Sequence, residues 1–471
     1  MTRAALATLG ALALVVRLPA LVADRHLTFD DGVFGASAVA MRHGGEPFRE
    51  VFSSQGPLFL PLVWVGDVLG FRVENAPRMV AVLAGLAVAA LVYDIGRRLV
   101  GPGVGALAAI VATTSGSMLW TTGPLAADGP GIALALAAVD VALAYRKRPG
   151  LRLALAFGGL IAAAFAIKSL FAVPAAVVIA WVLLERRAWR HLGAGVAASA
   201  VVVVGLALPW GLADVWDQAV AYHLEAAGSR TPGANLEKVF STLWDRDLLL
   251  LALAVSALWF AIHDRLVGRG ADASEAGLAP PASRWDSPAG PIVAWLGLIV
   301  AVLILEHPLW RPHLAHLVPP LALLSAYAVR SHLKAVTAVL ALVGVAHIAT
   351  NTDILWPDRH YEGDEAAAVA ALSALPADAW AFSDEPGLVW RSGLRTPDDL
   401  VDASILRIDS GRVTGPGLVD AARDPRVCAV LVWSHRYARF DLDRRLAPLG
   451  FSVAADYGAR RSLLLRPCVG R

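Results

Sequence analysis

Ala76-Pro-Arg-Met-Val-Ala-Val-Leu-Ala-Gly-Leu-Ala-Val-Ala-Ala-Leu-Val-Tyr-Asp-Ile95 is the stretch that decides which solvent this chain is built for. From Met79 to Tyr93 it carries no charge. A helix needs roughly 20 apolar residues to cross the hydrocarbon core of a bilayer, with about 17 as a lower limit. Reading outward by the same rule gives ten more stretches: Ala4–Val22, Val104–Trp120, Gly131–Tyr145, Leu151–Ile167, Leu170–Leu184, Gly193–Leu212, Leu248–Ile262, Pro291–Leu305, Leu317–Val329 and Ala335–Ala349. Several are short by strict count, and their ends are expected to extend into flanking polar residues. The chain of 471 residues is 57% hydrophobic and 17% charged, against about 25% charge in an ordinary soluble protein. The expectation is a mainly α, polytopic membrane protein of about eleven spans.

The remaining composition narrows the class. A net charge of +2 is too small to point to nucleic acid. Basic residues instead punctuate the apolar runs. Arg97 and Arg98, then Arg146, Lys147 and Arg148, then Arg186, Arg187 and Arg190, then Arg265 and Arg269, then Arg330 and Lys334 fall in alternate loops. By the positive-inside rule these loops and the N-terminus are cytoplasmic. The opposite loops hold Asp30, Asp31, Asp128, Asp214, Asp217, Glu225, Glu237, Asp245 and Glu306. An odd number of spans then places the tail outside a plasma membrane. The first span reads as uncleaved, since many spans follow it and no small-residue cleavage site is evident.

The domain division is a membrane part, residues 1–351, with a first outer loop at 23–75, and a soluble part, 352–471. In the first outer loop, Gly32–Arg42 and Pro57–Leu69 have apolar residues at helical spacing and suit helices lying in the membrane interface. The second long outer loop, Ala213–Asp247, carries Trp216, Tyr222 and Trp244, which read as interface anchors. In the tail, Trp380–Ser383, Val427–Trp433, Phe451–Ala455 and Ser462–Leu465 read as strands, with helices over Glu365–Leu375 and Asp441–Leu449. That order suggests a small α/β domain with an accessory role. Cys428 and Cys468 both lie there, either bonded in an oxidising compartment or free.

The densest chemical signal is His26-Leu-Thr-Phe-Asp-Asp-Gly-Val-Phe34. Asp30 and Asp31 can cap the first interfacial helix, or one of them can serve as general base for an acceptor hydroxyl. The stretches Phe29-Asp-Asp-Gly-Val-Phe-Gly-Ala-Ser37, Gly44-Gly-Glu-Pro-Phe-Arg-Glu-Val-Phe52 and Gln55-Gly-Pro-Leu58 resemble the first extracytoplasmic loop of the GT-C glycosyltransferases, among them protein O-mannosyltransferases and lipid A aminoarabinose transferases. The resemblance is specific in this loop, general over the other spans, and does not reach the tail. It implies that Asp30 is the catalytic base and Asp31 its neighbour, where the family usually has Glu.

Three further segments fit the same resemblance. Leu125-Ala-Ala-Asp-Gly-Pro130 is similar to the family's second acidic motif, although Asp128 is equally placed to cap the helix ahead of Pro130. Ala166-Ile-Lys-Ser169 resembles a Thr-Lys-Gly segment with two replacements, and Lys168 at that depth calls for a polar cavity, an anion or snorkelling. Glu306-His-Pro-Leu-Trp-Arg-Pro-His-Leu-Ala-His316 puts His313 and His316 on one face of a helix started by Pro312. Arg311, His313 and the helix terminus suit a phosphate, and an interfacial anchor is the alternative. Asp31, Asp128, Lys168, Arg311, His313 and His316 are thus the expected substrate-binding residues. Asp30 and Asp128 are candidate ligands of a divalent metal. Arg17 is expected to meet Asp30, Asp128 or a donor phosphate, or to snorkel; Asp140 is expected to pair with Arg146.

The resemblance implies an inverting transferase that moves sugar from a polyprenyl-phosphate donor to a hydroxyl of a cell-envelope glycan, lipid or protein. A transporter or flippase, and a lipid-linked glycan polymerase or ligase, are the alternatives. The first usually shows internal repeats and midplane charges; here there is no clear repeat, and the charges gather at one interface.

Overall fold

The structure is a computed structural model that describes residues 2–186, 188–225, 232–266, 289–306 and 308–468. Arg187, Arg269 and His307 lie outside the described residues. Each of the eleven apolar stretches falls on a helix. The first holds α1, Thr2–Val15, and α2, Leu18–Val22. The outer loop follows with α3, Phe29–Arg42, and α4, Phe59–Leu69. Then come α5, Met79–Leu99; α6, Pro102–Thr114; α7, Gly116–Thr122; α8, Asp128–Lys147; α9, Leu151–Phe165; α10, Ser169–Glu185; and α11, Trp189–Ala207. Further helices cover Leu248–Leu266, Ala289–Leu305, Val318–Ala328 and Leu333–Thr350.

By length and apolarity, 4 helices of the described chain can cross a membrane, or up to 6 if each bent pair counts as one span. The other apolar helices are shorter. The count of eleven is therefore coarser than the architecture, which is a multi-span bundle with broken elements. One break is α6 and α7, bent by 65°. A second is in the loop at 213–247, where sequence gave only anchoring aromatics. The helix Pro232–Arg246 lies there, bent by 106° from the helix that follows it. Leu236, Phe240 and Trp244 form its exposed ridge, at the four-residue spacing of one helix face.

A single apolar core joins α5, α6, α8 and the helices at 248–266, 289–305 and 318–328. By contrast, α11 and the helix Leu333–Thr350 leave Val196, Val201, Leu342 and Val345 exposed. Apolar surface of that extent suits lipid. Arg17 interrupts the first segment and meets neither Asp30 nor Asp128. It is fully buried, and donates to Thr122 Oγ1 at 2.8 Å, the Ala13 carbonyl at 3.1 Å and the Thr113 carbonyl at 3.3 Å. Asp140 pairs with Arg98 at 2.9 Å, not with Arg146.

The tail follows the sequence expectation closely. Strands β1, Trp380–Ser383; β2, Val427–Val432; β3, Ser452–Gly458; and β4, Arg461–Leu465 form one sheet in the order β1-β2-β4-β3. β1 and β2 are parallel, and the remaining pairs are antiparallel. Every residue of β2 is buried, as its central place requires. Cys428 on β2 is bonded to Cys468 beyond β4.

The sheet domain sits directly on the first outer loop. A Cβ at Gly32 would lie 2.4 Å from the Gly387 backbone nitrogen, and one at Gly35 would lie 2.2 Å from the Trp390 ring. Two glycines on one face of α3 thus allow the helix Pro386–Arg391 to press against its backbone. Arg391 then donates to Glu74 and to the Arg25 carbonyl, each at 2.8 Å. Arg436 lies over the Phe29 ring at 4.1 Å.

Candidate active site

The acidic pair divides its labour at the start of α3. Thr28, not an aspartate, is the cap: its Oγ1 accepts the Asp31 N–H at 3.0 Å. Asp31 accepts the N–H groups of Leu27 at 3.1 Å and Leu125 at 2.7 Å. Arg78 grips the same carboxylate through Nε at 3.1 Å and Nη2 at 2.5 Å, and both side chains are fully buried. Arg78 also donates to the carbonyls of Ala20, Ala23 and Arg25 at 2.6, 3.0 and 2.5 Å. Burial alone would raise the Asp31 carboxyl, but the charge and hydrogen bonds of Arg78 hold it below the ordinary carboxylate range. Asp31 is a joint that ties α2, α3 and the loop before α8 together.

Successive residues of a helix point about 100° apart, so Asp30 faces elsewhere. Among the described residues it makes no hydrogen bond or ion pair. It is half-buried, and Lys168, Asp128, Asp402 and His313 lie within electrostatic reach. Burial pushes its carboxyl up to about 6; Lys168 pulls it down, and the like charges of Asp128 and Asp402 push it up. A carboxylate without a partner and with raised basicity is suited to take a proton from a hydroxyl.

Beside it is a buried polar cluster drawn from three distant parts of the chain. Asp128 opens α8 but caps nothing, since the cap position is Ala127 and no side-chain bond is made there. Its two oxygens instead accept Lys168 Nζ at 3.0 and 2.9 Å. His316 Nε2 is 3.1 Å from Asp128 Oδ1. Lys168 occupies the cap position of α10 and is also 2.8 Å from His313 Nε2. His313 Nδ1 is in turn 2.6 Å from Glu306 Oε1. The two histidines share a face because Arg311–Leu317 is a 3₁₀ helix, in which residues three apart eclipse.

The structure therefore brings together Asp30, Asp128, Lys168, His313 and His316. It keeps Asp31 as their scaffold. Arg311 stands apart: it is 41% exposed and turned to Asp245 at 3.4 Å. Glu306 opens the motif that contains the histidines, yet its partner could be found only in three dimensions. Asp402 gave no sequence signal. It comes from the tail, is buried, and has one oxygen engaged by the Ser404 N–H at 2.8 Å. Around it, Tyr222 meets Ser404 at 3.1 Å, and Arg407 stacks over Phe52 at 3.8 Å. Arg412 grips Asp217 at 2.6 Å and Glu225 at 2.9 Å. The tail, expected to be an accessory, brings Asp402 within electrostatic reach of Asp30.

A divalent metal would need ligands that this cluster has already committed. Both Asp128 oxygens are held by an ammonium, and among the described residues no group of three or more His, Cys, Asp and Glu side chains could hold an ion. The residues do not fit a metal.

Comparison with known proteins reaches the same architecture. Residues 54–210 match the family model of dolichyl-phosphate-mannose-protein mannosyltransferases. The crystal structure of ArnT from Cupriavidus metallidurans bound to undecaprenyl phosphate matches with a TM-score of 0.65 at 15% identity, over 98% of each chain. The chain has the fold of the GT-C glycosyltransferases. A second GT-C structure, the oligosaccharyltransferase AglB from Archaeoglobus fulgidus in complex with an inhibitory peptide and a dolichol-phosphate, matches at 9% identity. It covers 94% of this chain and 71% of that one, with a TM-score of 0.54. No curated protein matches the chain. The GT-C likeness extends over the tail as well as the bundle, beyond the reach of the sequence motifs.

Proposed function

We propose that this chain is a membrane glycosyltransferase. It moves a sugar from a polyprenyl-phosphate donor to a hydroxyl of a cell-envelope glycan, lipid or protein, on the outer face of the plasma membrane. The observation that carries the reading is the pairing of two unlike groups at one place. Among the described residues Asp30 makes no hydrogen bond or ion pair, its carboxyl is raised, and it lies within electrostatic reach of a buried polar cluster built on Lys168. The fold supports it, since the ArnT structure that matches this chain was solved with undecaprenyl phosphate.

Each group has a distinct task. Asp30 takes the proton of the acceptor hydroxyl as that oxygen attacks the anomeric carbon. The bond from that carbon to the phosphate oxygen breaks, with inversion, and the electron pair leaves on the lipid phosphate. The leaving group gains negative charge, and the Lys168 ammonium offsets it. No step passes through a metal. Asp402, from the tail and within electrostatic reach of Asp30, would contact the acceptor. The positive-inside pattern of the loops supports an outward-facing site.

The test is transfer of radiolabelled sugar by the purified full chain from a panel of polyprenyl-phosphate hexoses and pentoses to envelope extracts. Transfer lowered by about 10²–10⁴ in Asp30→Asn supports the reading. Transbilayer movement of the lipid without transfer would replace it with a flippase.

A further inference from the structure

Asp402 is only 4% exposed, yet half of its carboxylate is uncommitted. One oxygen accepts the Ser404 N–H at 2.8 Å; among the described residues the other makes no hydrogen bond or ion pair. A buried carboxylate with an unmet oxygen is costly until a donor reaches it. The basic side chains of this region are spent on other groups. Arg407 Nη1 donates to the carbonyls of Asp399 at 2.5 Å and Asp402 at 2.9 Å, and its Nη2 to the Asp399 carboxylate at 3.0 Å. Arg412 is held by Asp217 and Glu225. His223, also within electrostatic reach of Asp402, has its Nε2 2.7 Å from the Ser54 carbonyl.

Asp402 and Asp30 act on each other electrostatically, and among the described residues neither carboxylate is in an ion pair. The two ends of the proposed site therefore differ in sign. One offers the Lys168 ammonium to a phosphate. The other offers carboxylates, which only accept hydrogen bonds, so a ligand seated there must donate. A negative charge on that ligand would face two like charges. A positive charge would stabilise the ionised form of Asp30 and remove the raised basicity that a base needs. An uncharged hydroxyl satisfies Asp402 and leaves Asp30 basic.

We propose that the acceptor is an uncharged glycan, held through a second hydroxyl that donates to the unbonded oxygen of Asp402, and that acidic glycans are turned away. Asp402 is then a specificity-determining residue contributed by the tail. This rests on the transferase reading above.

The experiment measures kcat/KM for sugar transfer by the full chain in lipid nanodiscs, with whichever polyprenyl-phosphate sugar is active on envelope extracts. The acceptors are the octyl glycosides of glucose, galactose and mannose, and the matching octyl uronides. Wild type is expected to use at least one neutral glycoside, and its uronide at least about tenfold less well. Asp402→Asn keeps an oxygen for the Ser404 N–H but presents an N–H donor in place of the second oxygen. It should lower kcat/KM for the neutral glycoside by about 10–100-fold and narrow the preference over the uronide at least about tenfold. A purely structural role would lower both acceptors alike. Wild-type transfer to a uronide as fast as to its neutral partner overturns the inference, and that comparison needs no variant. Transfer to envelope extracts but to none of the neutral glycosides also overturns it, as does an equal loss on both acceptors in folded Asp402→Asn. No transfer by wild type to extracts or to any glycoside overturns the transferase reading beneath it.

Discussion

Arg78→Met tests whether the Asp31 joint is structural in the way its contacts require. The guanidinium is fully buried and makes five hydrogen bonds, two to Asp31 and three to the carbonyls of Ala20, Ala23 and Arg25. Removing one member of a buried ion pair costs about 3–5 kcal/mol, because the other charge stays behind. Two N–H donors, from Leu27 and Leu125, still serve Asp31 and offset part of that. The bared carbonyls add about 1 kcal/mol each where water cannot follow. A net loss of about 4 kcal/mol is expected, or a midpoint roughly 10 °C lower at about 2–4 °C per kcal/mol for a sizeable domain. The assay is thermal unfolding of the detergent-purified chain, run with Asp31→Leu and the double variant. In the double variant both charges are gone, and at least about 2 kcal/mol of the single losses should return as coupling. Additive losses, or a midpoint for Arg78→Met within about 2 °C of wild type, would refute the reasoning.

Lys168→Met should lower transfer by about 10²–10³, the usual loss of one charge-stabilising donor. Asp128→Asn/Lys168→Met should recover thermal stability relative to Lys168→Met alone, without recovering transfer; recovery of both would reduce Lys168 to a structural counter-ion. Since Lys168 holds both Asp128 oxygens, exhaustive chelation should leave the transfer rate unchanged, and a loss reversed by a divalent ion would contradict the cluster as described. Burial pushes Glu385 up to about 7 against the pull of Arg436. Its contribution to stability is present below the ordinary carboxylate range and is lost as pH rises through 7, so Glu385→Gln should raise the unfolding midpoint at pH 8 more than at pH 6. Burial holds His26, which faces it at 3.6 Å, down to about 4. That contribution is present above pH 6.5 and is lost as pH falls through 4, so His26→Gln should soften acid unfolding; an unchanged acid limb would contradict it.

Much of the fold was legible because each layer has a local cause. Apolar runs mark helices wherever they cross lipid, and all eleven landed on helices. The four strands of the tail were found within a few residues, since short apolar and aromatic runs between turns have few other uses. Span number was less legible. Breaks such as that between α6 and α7 are made by side chains elsewhere, with Asp247 binding Ser115 and Ser117 at the bend. In the site, the sequence marked Asp30, Asp128, Lys168, His313 and His316, each unusual beside apolar helices. It could not separate the roles of Asp30 and Asp31, because adjacency hides which one faces Arg78. Arg311 was misplaced for the same kind of reason: a basic residue near a helix start suits phosphate, but its side chain turns to Asp245 instead. Asp402 was invisible, since it reaches the site only through the docking of the tail on Gly32 and Gly35.

The central claim is that Asp30 is the base and that its basicity is set by the site. The most direct measurement is the pH dependence of sugar transfer by the wild-type chain and by Asp30→Asn. Wild type should lose activity as pH falls through about 6, where the Asp30 carboxyl takes up its proton. Asp30→Asn should lose about 10²–10⁴ in rate, and its residual rate should lack that limb. Transfer by Asp30→Asn near the wild-type rate, or with the acid limb unchanged, would contradict the account.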